Sequence, residues 1–149
     1  MHFIITIYYK MDLIQFFEKL PKKKTDIVFF DIDDTLLRPF AQIPTPVKPV
    51  LDFYKYLTSN GYNVAIITAR AIYEENLKYT IQDLKNIGIV DDYKFLILRP
   101  EYMNDIKEYK KIARKEILDK GYTPLMSIGD MYWDVGEYGG IGIIVLPEN

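Results

Sequence analysis

Three aspartates follow an apolar stretch early in the chain, where their carboxylates would repel one another unless a positive charge compensates. The segment reads FFDIDDTLL, residues 29–37, and Asp31 and Asp33 are two residues apart. In extended backbone, residues two apart leave the same face, so these two carboxylates can converge on one ligand. A solvated turn after a strand explains an isolated pair of this kind equally well. The pair alone leaves both interpretations open.

A second acidic pair lies near the other end of the chain. Asp130 follows the apolar run PLMSI and Gly129, and Asp134 lies four residues further on. If both acidic segments follow strands of one parallel sheet, their carboxylates gather at the same edge of that sheet. Carboxylates gathered there repel one another unless a cation or protons compensate. Mg²⁺, a hard cation that prefers oxygen ligands, is the cation that this cluster predicts.

One lysine is expected to face the same edge. A helix predicted from residue 104 or 105 to Gly121 has an apolar face, formed by Ile106, Tyr109, Ala113 and Ile117. At 100° per residue, Lys110 lies about 40° from Ile106 and therefore at the edge of this face. Three other lysines lie further round, at roughly 100° to 180°: Lys107, Lys111 and Lys115. Lys110 is thus predicted to point inward, although snorkelling at the helix boundary explains its position as well.

The elements that carry these residues alternate along the chain. Short apolar runs predict strands buried on both faces: DIVFF, NVAII, YKFLIL, PLMSI and GIIVL. Two further helices are predicted, one capped by Thr45 with Pro46 at its first position and ended by Asn60 and Gly61, the other from about Ile72 to Gly88. This alternation predicts an α/β fold with a doubly wound parallel sheet.

Length and composition limit the remaining possibilities. The 149 residues, 49% of them apolar, suit a single domain, 1–149, with residues 1–25 as an N-terminal helical extension packed on the core. The apolar stretch 3–9 lacks the features of a signal peptide, and no run approaches the roughly 20 apolar residues that span a bilayer. We therefore expect no contact with membranes, and a cytoplasmic location, which the absence of cysteine fits.

Four motifs in order resemble those of the haloacid dehalogenase (HAD) superfamily of phosphatases, and within it the acid-phosphatase-like, class III-type branch. They are DIDDT at residues 31–35, Thr68 after NVAII, Lys110 in YKKIAR, and Asp130 with Asp134 in GDMYWD. The resemblance covers residues 26 to about 146. It implies a Rossmann-like core. Since the gaps between the motifs are short, no sizeable cap domain is expected.

The resemblance also implies catalytic roles. Asp31 is expected to attack phosphorus and to become phosphorylated. Asp33 is expected to protonate the leaving alcohol and then to deprotonate the water that hydrolyses the acyl-phosphate. Thr68 is expected to hold a phosphate oxygen, and Lys110 to neutralise both the phosphate and the Asp31 carboxylate.

The same resemblance implies a magnesium site. Its ligands would be the Asp31 carboxylate, the Asp33 carbonyl oxygen and Asp130, with Asp134 helping directly or through water. Two neighbouring residues are expected to orient these groups: Asp34 and Thr35.

The sequence indicates the substrate less clearly than the catalytic residues. Arg70 and Tyr132 are the candidates for contacts with a phosphorylated substrate, and packing under the loop is the alternative for the aromatic ring. An open, capless site suits a large substrate. It also suits a small one whose site is covered by the N-terminal segment or by another subunit of a homo-oligomer.

Three hypotheses for function remain. We favour a Mg²⁺-dependent phosphomonoesterase that acts on small or nonspecific substrates. A phosphatase of polynucleotide 3′ ends would require a basic path beside the site, for which the candidates are Lys22 to Lys24, Lys111, Arg114 and Lys115. A non-enzymatic phospho-acceptor resembling receiver domains is disfavoured by chain order, because receivers place their metal-binding acids before the phosphorylated aspartate.

Overall fold

A six-stranded parallel sheet forms the centre of the computed structural model, which describes residues 4–8, 12–39 and 44–146. The eight strands are β1 (Ile4–Tyr8), β2 (Asp26–Phe30), β3 (Leu37–Arg38), β4 (Thr45–Pro46), β5 (Asn63–Ala71), β6 (Phe95–Arg99), β7 (Thr123–Gly129) and β8 (Ile141–Leu146). Of these, β3 and β4 form a separate two-stranded hairpin, and the other six form the sheet. The helices are α1 (Leu13–Glu18), α2 (Lys48–Ser59), α3 (Glu74–Asn86) and α4 (Ile106–Leu118), with a 3₁₀ turn at Tyr132–Asp134. The sheet order is β1-β8-β7-β2-β5-β6, and each neighbouring pair is parallel. The predicted α/β fold is confirmed, and all five predicted strands are present.

The two faces of the sheet bury separate apolar clusters. Val28 and Phe30 of β2 pack with α1 and α2 on one face, and the alternate residues Ile27 and Phe29 pack with α4 on the other. This alternation follows from the two-residue period of a strand. Because both faces are covered, the strand runs are almost continuously apolar, which is the feature that made them recognisable in the sequence.

The start of α2 differs from the prediction that Thr45 caps it. Thr45 and Pro46 instead form β4, which pairs antiparallel with β3. The helix begins at Lys48 after Val47, whose N–H donates to the Leu36 carbonyl (2.8 Å) and so stays with the preceding extended segment. Residues that precede a proline are biased toward extended backbone, and this bias holds Thr45 before Pro46 out of the helix. Residues 40–43, which connect β3 to β4, lie outside the described residues.

The N-terminal segment is only partly helical. Ile4–Tyr8 form the edge strand β1, which pairs with β8, because its β-branched residues suit a strand. Helix α1 follows and is capped by Asp12, whose side chain accepts from the Gln15 N–H (3.0 Å). Phe17 of α1 is fully buried. Since residues 1–3, 9–11 and 147–149 lie outside the described part, the single-domain organisation of 1–149 stays a prediction.

The described residues carry no cap domain beside the sheet. Between β2 and α2 the chain forms the small β3–β4 hairpin, and between β5 and α4 it forms only α3, β6 and short loops. In the same described ranges, every helix is too short or too polar to cross a membrane. Among the described residues, the carboxyl ends of the central strands β2, β5 and β7 are therefore followed by loops and short turns.

Candidate active site

Asp31 lies where β2 ends, beside the central strand β7. Its N–H donates to the Ile128 carbonyl (3.0 Å), so the ladder of β2 continues to this residue, and Asp31 is 8% exposed. Asp34 has a positive φ of 60°, which aspartate tolerates better than most residues. The turn brings Thr35 back toward the strand end, and its hydroxyl donates to Asp31 Oδ2 (3.3 Å).

Three carboxylates meet at this point. Asp31, Asp130 and Asp134 each offer one oxygen, and these oxygens lie within 4.8 Å of one another. The Thr35 hydroxyl is also 3.4 Å from Asp130 Oδ1. Asp134 reaches the cluster because Gly129 has no side chain: a Cβ at Gly129 would overlap the Asp134 side chain. The two acidic segments are thus brought together by the neighbouring strands β2 and β7.

Lys110 of α4 lies against the same carboxylates. Its Nζ is 2.9 Å from Asp31 Oδ1 and 2.8 Å from Asp134 Oδ1, and it donates to the Ile67 carbonyl (2.7 Å). The residue is 2% exposed. Burial alone would lower the pKa of this ammonium, but the carboxylates of Asp31 and Asp134 raise the pKa above its ordinary value. Lys110 is therefore held in its charged form.

The electrostatics of the cluster favour a divalent cation. Three carboxylates and one ammonium leave an excess of two negative charges when all are ionised. Burial, with the nearby Asp31 carboxylate, raises the pKa of Asp130 to about 8, and burial also raises the pKa of Asp134. An oxygen-only donor set with this charge fits Mg²⁺.

The Asp33 carboxylate does not join this cluster, although the extended spacing allowed Asp31 and Asp33 to converge on one ligand. Its carboxylate is held by Arg70, whose Nε donates to Oδ2 (3.0 Å) and whose Nη2 donates to Oδ1 (2.7 Å). The regular strand ends at Phe30, so the two-residue rule no longer fixes both side chains. Asp31 and Asp33 therefore meet two different cations.

Thr68 is positioned near the carboxyl end of β5. It is 1% exposed, and its hydroxyl accepts from the Arg70 N–H (3.1 Å). Its carbonyl accepts from the hydroxyl of Tyr109 (2.7 Å), which also donates to the Ile97 carbonyl (3.1 Å). Tyr109 lies one residue before Lys110, so this hydrogen bond joins the turn of α4 that carries Lys110 to strand β5, which carries Thr68.

The loop after β7 provides the exposed rim of the site. Tyr132 is 57% exposed, lies edge-on to Trp133 with ring centroids 5.2 Å apart, and has Lys107 Nζ 5.9 Å from its ring centroid. Beneath the loop, Arg114 is 3% exposed and donates to the Trp133 carbonyl (3.1 Å) and to the Glu137 carbonyl (2.9 Å). The rim is therefore tied to α4 from below.

The contacts of Arg114 and Asp83 at the site were not predicted from the sequence. Arg114 was named only as a candidate for a basic path beside the site, yet it lies four residues after Lys110 and hence about 40° from it on the helix. That spacing was a usable signal. Asp83 of α3 is 2.8 Å from Arg70 Nη1, a contact that depends on how α3 packs and has no signature in the local sequence.

Comparison with known proteins gives two findings. The family model described as HAD superfamily, subfamily IIIB (acid phosphatase), matches residues 40–149. The matched part contains Thr68, Lys110, Asp130 and Asp134 and begins after Asp31 and Asp33. The chain is also 27% identical over 157 aligned positions to vegetative storage protein 1 of Arabidopsis thaliana. That alignment covers 87% of this chain and 56% of the relative, so the chain spans about half the length of that curated relative.

Proposed function

The chain belongs to subfamily IIIB of the HAD superfamily, the acid phosphatases, and from this we propose that it is a Mg²⁺-dependent phosphomonoester hydrolase that works through an aspartyl-phosphate. The resemblance seen in the sequence is confirmed by this membership. The observation that carries the proposal is the buried ion-pair cluster in which Lys110 contacts both Asp31 and Asp134 beside Asp130. This cluster supports the proposal, because Asp31 would serve as the nucleophile, Lys110 as the fixed cation, and Asp130 with Asp134 as the acidic pair that binds the metal.

The residues that would hold Mg²⁺ are Asp31 and Asp130, with Asp134 directly or through water, and the Asp33 carbonyl oxygen. When bound, the ion would neutralise negative charge on the phosphate. Lys110 supplies further positive charge beside Asp31, as its 2.9 Å contact with Oδ1 indicates. The Thr68 hydroxyl would hold one oxygen of the phosphate.

In the first half of the reaction, a carboxylate oxygen of Asp31 attacks phosphorus. The new bond joins that oxygen to phosphorus, and the bond from phosphorus to the ester oxygen breaks. Asp33 gives its proton to the departing oxygen, so the product leaves as an alcohol. The contact of Lys110 with Asp31 orients the carboxylate, while Thr35 fixes its other oxygen at 3.3 Å.

In the second half, water attacks the phosphorus of the aspartyl-phosphate. Asp33, now a carboxylate, takes a proton from this water, and the bond between phosphorus and the Asp31 oxygen breaks. Inorganic phosphate leaves, and both carboxyl groups return to their starting states. This second role of Asp33 distinguishes a phosphatase from a phospho-acceptor that keeps its phosphate.

The favoured substrates are small or nonspecific phosphomonoesters. Arg70 and Tyr132 are the candidates for contacts beyond the phosphate. The contacts among the described residues occupy four of the five N–H donors of Arg70, leaving one Nη2 hydrogen for a substrate oxygen. The exposed ring of Tyr132 offers a surface for the leaving group.

The cytoplasmic location and the homo-oligomer that were expected from the sequence both stay predictions.

The alternative of polynucleotide 3′ ends finds little support in the positions of the basic residues. Lys22 to Lys24 precede the start of β2, whereas Asp31 follows its end, roughly 16 Å away along the strand. Arg114 is buried, and Lys115 is 3.0 Å from Asp119. These residues do not line one track beside Asp31, so the alternative is kept only as an arm of the test.

The test is p-nitrophenyl phosphate hydrolysis with and without Mg²⁺. Wild type is expected to turn over only with the metal, and Asp31→Asn is expected to be inactive while it keeps its fold by circular dichroism. Asp52→Asn is the matched control, because Asp52 lies on the exposed face of α2, paired with Lys48. Retained activity in Asp31→Asn would exclude the aspartyl-phosphate mechanism.

Two further substrates distinguish the alternatives. Faster turnover of a 3′-phosphorylated oligonucleotide than of p-nitrophenyl phosphate would favour the polynucleotide hypothesis. Stable labelling by acetyl phosphate without turnover would favour a receiver-like phospho-acceptor.

A further inference from the structure

We infer that Arg70, supported by Asp83 and Thr80 of α3, is a positioning residue that holds the Asp33 carboxylate in place for proton transfer. The inference rests on the proposed function, because it concerns the residue that would act as acid and base. It assigns a task to α3, which supplies none of the four motif residues.

The contact between Arg70 and Asp33 is bidentate. Two parallel bonds of 3.0 and 2.7 Å join Nε and Nη2 to the two carboxylate oxygens. Such a pair fixes the plane of the carboxylate as well as its distance. The side chain of Arg70 is 15% exposed and that of Asp33 is 34% exposed, so the pair lies at the edge of solvent, where a substrate can reach it.

The far side of the guanidinium is anchored to α3. Nη1 is 2.8 Å from Asp83 Oδ2 and 3.3 Å from the hydroxyl of Thr80, which is fully buried. Burial alone would lower the pKa of Arg70, but the Asp33 and Asp83 carboxylates raise it, so the guanidinium stays charged. Both Nη1 donors are held by α3, and two of the remaining three donors contact Asp33.

The same residue also links Asp33 to the phosphate end of the site. The Arg70 N–H donates to the Thr68 hydroxyl (3.1 Å), and that hydroxyl is the group proposed to hold phosphate. Asp33 itself lies in the turn after β2, outside a regular strand. Its carboxylate therefore depends on a side-chain contact for its orientation, and a proton-transferring group must stay within hydrogen-bond reach of its partner.

The experiment compares Arg70→Met with wild type on two substrates. p-Nitrophenolate leaves without needing a proton, so the first half of the reaction tolerates a displaced Asp33, whereas the second half needs Asp33 as base. We expect the aspartyl-phosphate to accumulate, with a burst of about one nitrophenolate per chain before a slow steady state. The steady-state kcat should fall about 100-fold, the loss typical of a group displaced by 1 Å, and KM should fall with it.

An alkyl phosphate such as 2-glycerophosphate separates positioning from substrate contact. Its leaving group needs a proton, so Arg70→Met should slow the first half as well and show no burst. If Arg70 only contacted substrate, the variant would raise KM for both substrates with kcat unchanged. That result, or a kcat within twofold of wild type with no burst, would overturn the inference.

Two milder variants keep the test decisive if Arg70→Met fails to fold. Arg70→Lys retains the charge but cannot form the bidentate contact, and it should show the same burst with a smaller fall in kcat. Asp83→Asn should lower kcat several-fold, while Asp52→Asn should leave it unchanged. Wild type without any turnover would refute the proposed function, whereas active wild type with unaffected variants would refute only the role of Arg70 and α3.

Discussion

Replacing Lys110 with Met tests whether the buried cluster is organised by charge. The side chain is 2% exposed and pairs with Asp31 (2.9 Å) and Asp134 (2.8 Å), so its loss leaves three carboxylates facing one another. Removing one partner of a buried ion pair costs about 3–5 kcal/mol. For a chain of this length, 1 kcal/mol corresponds to roughly 2–4 °C in Tm, which predicts a fall of about 6–20 °C at pH 7 without metal.

The assay is thermal unfolding followed by circular dichroism, with and without millimolar Mg²⁺. Methionine matches lysine in length and keeps most of the packing, so the change isolates the charge. Lys115→Met is the matched control: Lys115 lies on the same helix in an exposed pair with Asp119, and its loss should leave Tm nearly unchanged.

Two further comparisons sharpen this prediction. Adding Asp31→Asn to Lys110→Met should recover part of the lost stability, because one of the unpaired charges is removed. Mg²⁺ should also stabilise Lys110→Met by more than it stabilises wild type, since the cluster then carries one more uncompensated charge. A Lys110→Met variant within 1 kcal/mol of wild type in the absence of metal would refute the charge-based account of the cluster.

Three other predictions concern Asp130, the Gly129 position beside Asp134, and the rim loop. The pKa of Asp130 is raised from 3.8 to about 8 in the folded protein, so the contribution of Asp130 to the stability of the metal-free protein is highest below pH 4 and is lost as the pH rises to about 8. The unfolding free energy measured in urea should show this decline in wild type and less of it in Asp130→Asn. Gly129→Ala should lower the free energy of unfolding by about 1–3 kcal/mol, because the new methyl group displaces Asp134. The variant should also lose most of the increase in Tm that Mg²⁺ gives wild type. Arg114→Met should lower the unfolding free energy in urea by about 1–3 kcal/mol, because it removes the two hydrogen bonds that Arg114 donates to the Trp133 and Glu137 carbonyls of the rim loop; a value near zero would contradict the anchoring contact.

The fold was predictable because its strands are buried on both faces. Runs such as DIVFF and NVAII are continuously apolar, and the helices between them have one apolar side, so element types follow from composition and period. The start of α2 was not predictable in this way. Thr45 is a good capping residue, but the prolines around it favour extended backbone, and the pairing of β3 with β4 decided the outcome.

The candidate site was predictable where its residues follow strands or occupy a helix face. The positions of Asp31, Asp130 and Thr68 follow from strand ends, and Lys110 follows from its angle to the apolar face of α4. The partner of Asp33 was not, because it depends on a long-range side-chain contact with Arg70, 37 residues away.

Asp31 and Asp33 are paired with different cationic side chains, so substitutions in the two groups should produce different defects. Lys110 and the acidic pair surround Asp31, whereas Arg70 and Asp83 hold Asp33. A defect in the first group changes the charge that a metal must balance, so it should appear in metal dependence and stability. A defect in the second group leaves that charge unchanged and displaces the proposed acid and base, so under the proposed mechanism it should appear as a trapped covalent intermediate. Lys110→Met and Arg70→Met should consequently differ in the kind of defect they produce, even if both lower turnover equally.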